Sequence, residues 1–218
     1  MSVILGSARG TYNSPRKGDQ SGKEVSTQGF YLPKDGYWLG FEPKDKNLAE
    51  KLAQNMQDAC NNNCFGYSQP YRLTGRQAVV RYGSIRGVKE LCAVDCSSLV
   101  NLCLYCSGYN MANFNTASEP KILRQSGLFT EKKITRESQC TTGMILCTPT
   151  KGHTMIVVKG VSNTSAQTQT NKKTNEQIAK EVIQGKRGNG NARKCKIEKA
   201  GYNYEEIRAL VNKMMKGK

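Results

Sequence analysis

Histidine is nearly absent from this chain: its 218 residues include one, His153. Any chemistry that needs an imidazole rests on that residue, and zinc sites built on paired histidines are excluded. Long apolar runs are missing as well. No stretch approaches the roughly 18 to 20 residues that span a bilayer, so no membrane insertion is expected. The opening Met1-Ser2-Val3-Ile4-Leu5-Gly6-Ser7 has no basic flank followed by a long apolar core. That is not a secretory signal, and the expectation is a protein made in the cytoplasm and not exported by the usual route.

Acidic residues are few, 17 against 33 Lys and Arg, for a formal net charge of +16. Half of the excess lies in residues 172–218, with 13 Lys/Arg against 5 Asp/Glu. Such a chain is drawn to polyanions. Nucleic acid is not expected, because zinc-finger spacing, a Gly-rich RNA motif and a basic helix interleaved with aromatics are all lacking. At 37% hydrophobic and 23% charged, the composition is that of a soluble globular protein, long enough for one good core and a small second module.

Nine cysteines are present, an odd number that cannot all pair. Only Cys103 and Cys106 have a two-residue gap, and without a second such pair no metal or other cofactor is expected. Most of these thiols read as reduced, small hydrophobes of the core.

One of them stands apart. Asp95-Cys96-Ser97-Ser98-Leu99-Val100 opens a stretch to Cys106 that is apolar nearly all round, the pattern of a central, buried helix. Asp95 is a good N-cap, which places Cys96 in the first turn, where free N–H groups and the helix dipole favour an anion and lower a thiol's pKa. Gly143–Thr148 and His153–Lys159 read as a β-hairpin around Pro149-Thr150-Lys151-Gly152, with His153 opening the second strand. Alternation puts His153, Met155 and Val157 on one face, and if that face covers the Cys96 helix the imidazole meets the thiol. Thr27–Leu32 predicts a short strand, and Asn47–Cys60 and Thr74–Tyr82 predict helices. From Val161 the composition turns to Ser, Thr, Asn, Gln and Lys, which reads as a linker over 164–175 between a first domain, 1–163, and a small basic module, 176–216. In that module Ile178, Val182, Ile197, Ile207, Leu210 and Val211 are the expected core.

The Asp95-Cys96-Ser97 and Gly152-His153-Thr154 motifs resemble those of papain-like cell-wall peptidases of the NlpC type and of the related CHAP amidases. The phrases Gly18–Gln28 and Phe114-Asn115-Thr116 are similar to catalytic domains of phage lysins from Gram-positive hosts. This resemblance implies an α+β fold, a papain-like domain with a central helix on an antiparallel sheet. It implies Cys96 as nucleophile and His153 as base, with Asn163 as orienter of the imidazole and Asp95, Ser97 and Tyr82 beside the substrate. Ile178–Gly185, Gly188-Asn189-Gly190, Arg193 and Ala200–Tyr204 resemble the cell-wall-binding repeat of the Cpl-seven type, a small three-helix bundle that follows the catalytic domain. There Arg193, Tyr202 and Tyr204 are the expected wall contacts, and Arg187 stands where the family usually has Trp.

Together these imply an endolysin that cleaves an amide bond in the peptide part of peptidoglycan, as a D-glutamyl endopeptidase or, alternatively, an N-acetylmuramoyl-L-alanine amidase. The rival is a wall-binding protein that does not cut. Expected partners are peptidoglycan, anionic wall polymers and a pore, or holin, that releases the protein from the host cytoplasm to the wall.

Overall fold

The computed structural model describes residues 2–10, 16–161, 174–186, 188–199 and 202–216. The chain divides into two compact units, Met1–Asn163 and Thr164–Lys218.

The first unit is α+β, as read from the sequence. Six strands form one sheet in the order β2 (Val25–Gly29), β1 (Ile4–Ala8), β8 (Thr154–Lys159), β7 (Ile145–Cys147), β3 (Trp38–Pro43), β6 (Phe129–Ile134), and every neighbouring pair is antiparallel. β4 (Phe65–Tyr67) and β5 (Cys92–Val94) make a separate parallel pair. One face of the large sheet carries α1 (Lys46–Cys60) and α3 (Cys96–Cys106). α1 buries Leu48, Leu52, Met56 and Ala59, the spacing that predicted it, and Asp45 caps its start by accepting from Asn47 N–H at 2.9 Å. It lies so close to β1 that a Cβ on Gly6 would meet Met56 Cγ at 2.4 Å. α3 buries Cys96 through Leu104 without interruption, which is why its sequence shows no polar face.

α2 (Thr74–Tyr82) has the predicted bounds, and α4 (Glu119–Gln125) precedes β6. The strand expected over Thr27–Leu32 is shifted to Val25–Gly29, because register with Ile4–Ala8, and not the apolar residues Phe30 and Leu32, fixes its ends.

The hairpin forms, but its faces differ from expectation. Met155 and Val157 pack with Val3, Leu5, Trp38, Ile134 and Leu146 in a second core on the far side of the sheet. The residues that pack with α3's core are Ile156 and, at its margin, Val158. A strand buried on both faces offers two equivalent alternations, and local sequence cannot tell which one meets the helix.

The second unit has α5 (Asn175–Ile183), α6 (Gly190–Lys199) and α7 (Tyr204–Lys216) around Ile178, Ala179, Val182, Ile197 and Ile207. Leu210 and Val211, expected in that core, pack at its margin. Thr174 caps α5 in a capping box with Gln177, so the helix begins one residue inside the stretch read as linker. Most of that stretch lies outside the described residues. Among the described residues no helix is long and apolar enough to cross a membrane.

Candidate active site

Asp95 does for α3 what its sequence position implied. Its Oδ1 accepts from Ser98 N–H at 2.6 Å and from the Ser97 hydroxyl at 3.0 Å, and the Ser98 hydroxyl accepts from Asp95 N–H at 2.8 Å. This capping box fixes Cys96 as the first helical residue. Asp95 is itself held by Arg72, whose Nη1 lies 3.0 Å from Oδ2. Arg72 Nη2 also reaches Asn113 Oδ1 at 3.2 Å and the Phe114 carbonyl.

His153 is positioned from the other side. Its N–H donates to Thr148 Oγ1 at 3.1 Å, and its carbonyl accepts from Thr148 N–H at 3.0 Å, closing the turn that starts β8. The next residue, Thr154, opens β8, the strand that packs against α3, and its backbone N–H is one of the groups that lower the Cys96 thiol. Cys96 is 7% exposed at the base of an open cleft of about 300 Å³ lined by Gln69, Arg72, Asp95, Ser97, Thr116 and Gly152, among others.

The electrostatics overturn one sequence expectation. The helix start does not lower the thiol: burial first, then Asp95 and Glu119, push Cys96 up to about 12, against the N–H groups of Thr154 and Ser97. His153 is held down at about 4 by burial and by Arg9, and its Nε2 is buried without a hydrogen-bond partner among the described residues. At neutral pH the resting pair is thiol and neutral imidazole.

This depressed value has a stability consequence. An unfolded imidazole titrates near 6.5, so between about 6.5 and 4 the unfolded chain binds more protons and stability is lost as the pH is lowered. His153→Gln is expected to remove this loss, on the order of 2 kcal/mol. Urea unfolding of both proteins at pH 7 and pH 4.5 measures it. The comparison must be between proteins, because Glu119 titrates with the opposite sign.

Asp95, Cys96 and Ser97 thus converge on one cleft with Gly152 of the histidine turn, and His153 itself is not among the residues lining it. Tyr82 ends α2, 40% exposed, and is not among the residues lining that cleft. Asn163 lies outside the described residues, as does Arg187. In the second unit, Arg193 and Tyr204 line a small cleft of about 140 Å³ with Arg208 and Asn212, whereas Tyr202 packs against the core. Arg193 is held by Gly188 O at 2.7 Å and Asn189 Oδ1 at 2.6 Å.

Sequence reading missed Arg72 and Glu119. Glu119-Pro120 marks a helix start, but nothing linear marks that carboxyl as buried. Arg72 becomes significant only because α3's start folds back on it. Among the described residues eight cysteines are free thiols, and no cluster of His, Cys, Asp or Glu could hold a metal ion.

Residues 6–164 match the family model of the endolysin-like domain, which is most of the chain. The chain belongs to that family. Residues 176–215 match the CW_7 repeat, a cell-wall-binding repeat, so the protein pairs an endolysin-like domain with a module for peptidoglycan. No curated protein and no solved structure matches it. In the endolysin-like domain, the cleft over Cys96 gathers convergent polar and titratable groups.

Proposed function

We propose that the endolysin-like domain hydrolyses an amide bond in the peptide part of peptidoglycan through Cys96 and His153, as a papain-like cysteine peptidase. The supporting observation is the open cleft that Asp95, Cys96 and Ser97 of the helix start line together with Lys151 and Gly152 of the histidine turn. As the sulfur bonds to the carbonyl carbon, His153 takes the thiol proton, and the oxyanion forms against the Cys96 N–H at the start of α3. Collapse breaks the C–N bond, and the imidazolium gives its proton to the leaving amine. Water then attacks the thioester, His153 takes the water's proton, and the carboxylic acid leaves as the sulfur regains a proton.

The bond proposed is that following D-glutamate in the stem peptide. Digestion of purified Gram-positive walls by wild type and Cys96→Ser, with mass spectrometry of the soluble products, tests this. Cys96-dependent release of peptides with new amino termini within the stem supports the endopeptidase. Intact stem peptides freed from the lactyl group replace it by the amidase. No release by either protein, with wall binding retained, removes the hydrolase reading.

We further propose that the three helices of the second unit form the bundle that grips the glycan-peptide unit, with Arg193 and Tyr204 at the contact, and that a partner pore delivers the protein to the wall. Tyr204→Ala is expected to weaken cosedimentation with walls about tenfold, the effect of losing one aromatic contact, while cleavage of soluble muropeptides stays unchanged. Equal cosedimentation by the variant removes Tyr204 from the contact.

A further inference from the structure

Glu119, the first residue of α4, is fully buried. Its Oε1 accepts from the Thr154 hydroxyl at 2.9 Å, and Oε2 is buried without a hydrogen-bond partner among the described residues. Cys147 Sγ lies 3.6 Å from the same hydroxyl. Glu119 therefore grips Thr154 by its side chain, on the strand that packs against α3, and the Thr154 N–H is among the groups acting on the Cys96 thiol. A buried acid with half of its acceptors idle is costly to keep in a core, and such groups concentrate where they tune a reacting neighbour.

We propose that Glu119 is a positioning residue for Cys96: through Thr154 it fixes an amide that acts on the thiol, and a negative charge on it suppresses the thiolate. The role in catalysis rests on the reading of Cys96 as nucleophile. Around the carboxyl stand Thr154 of β8, Cys147 of β7, Asp95 and Cys96 at the start of α3, and Arg72. Burial is the largest influence and Asp95 adds to it, against the hydrogen bonds of Thr154 and Cys147 and the charge of Arg72; the carboxyl is raised to about 8. At neutral pH it is a neutral acid. Above about pH 8 it becomes an anion beside a sulfur that must itself become one, and the two groups titrate as a coupled pair. The alkaline limit of the enzyme then belongs to Glu119, not to loss of a proton from His153.

The test uses the full chain. Wild type and Glu119→Gln are alkylated with iodoacetamide from pH 6 to pH 10, and the modified Cys96 peptide is quantified by mass spectrometry. At pH 6 the two rates are expected to agree. At pH 9 the Gln variant, with no charge beside the sulfur, is expected to react about tenfold faster, the equivalent of one pKa unit. In wall digestion, wild type is expected to decline above about pH 8 and Glu119→Gln is not.

Equal alkylation at pH 9 by both folded proteins overturns the proposal. A variant-free measurement stands beside it: carboxyl carbon NMR of wild type labelled in glutamate is expected to show one side chain titrating near pH 8, and no Glu titrating above pH 6 overturns the proposal equally. Alkylation needs no wall, so digestion that proves independent of Cys96 removes the hydrolase reading without deciding this coupling.

Discussion

Cys96→Ala and His153→Ala are each expected to lower the release of soluble fragments from walls by at least about 10³-fold, and the double variant to fall no further than either single one. The reason is that the proposed mechanism uses the two residues as one device. The thiol is raised to about 12 and the imidazole lowered to about 4, so neither is ionised at rest. A thiol so strongly held in its neutral form is a poor nucleophile without a base to remove its proton, and this chain holds no second imidazole to substitute. The measurement is initial rate of release by each variant, with wall cosedimentation and circular dichroism as controls for binding and fold. Losses that multiply in the double variant would mean independent roles and would sink the pair mechanism.

Asp95→Ala is expected to destabilise the first unit by about 3 to 5 kcal/mol, the range for removing one member of a buried ion pair. Three supports go at once: the N-cap acceptor for Ser98 N–H, the partner of the Ser97 hydroxyl, and the countercharge of Arg72, whose Nε is already buried without a hydrogen-bond partner among the described residues. Asp95→Asn keeps an N-cap oxygen and is expected to lose less, about 1 to 2 kcal/mol. Chemical denaturation at pH 7 measures both. The same substitutions remove a negative neighbour that raises the thiol, so faster alkylation of Cys96 should accompany lower stability. That would be a stability cost maintained at a site for positioning rather than for reactivity alone. An Asp95→Ala protein as stable as wild type would show that the capping box and ion pair are dispensable.

Much of this site is legible in the chain because its signals are local. An aspartate before an apolar run specifies a capped helix, and α3 starts at Cys96 for that reason. The spacing of Leu48, Leu52, Met56 and Ala59 specifies α1, and the break in composition after Val161 separates a catalytic unit from a basic module. These depend on neighbours within a turn or two. The edge strand β6 lacked such a signal, since Thr130 to Lys133 are exposed and show no alternation.

The solitary histidine, the capped cysteine and the wall-directed tail were determined by the sequence itself. What the tertiary structure decided is how they are placed and charged. It chose which face of β8 meets α3, brought the amide of Thr154 to bear on the Cys96 thiol, closed Arg72 onto Asp95, and buried Glu119 beneath them. It also reversed the expected thiol chemistry, because a helix N-terminus favours an anion only as far as desolvation allows, and here burial and two nearby carboxyl groups outweigh the backbone dipoles. Desolvation and long-range charge depend on which distant segments pack together, and no local pattern in the chain encodes that.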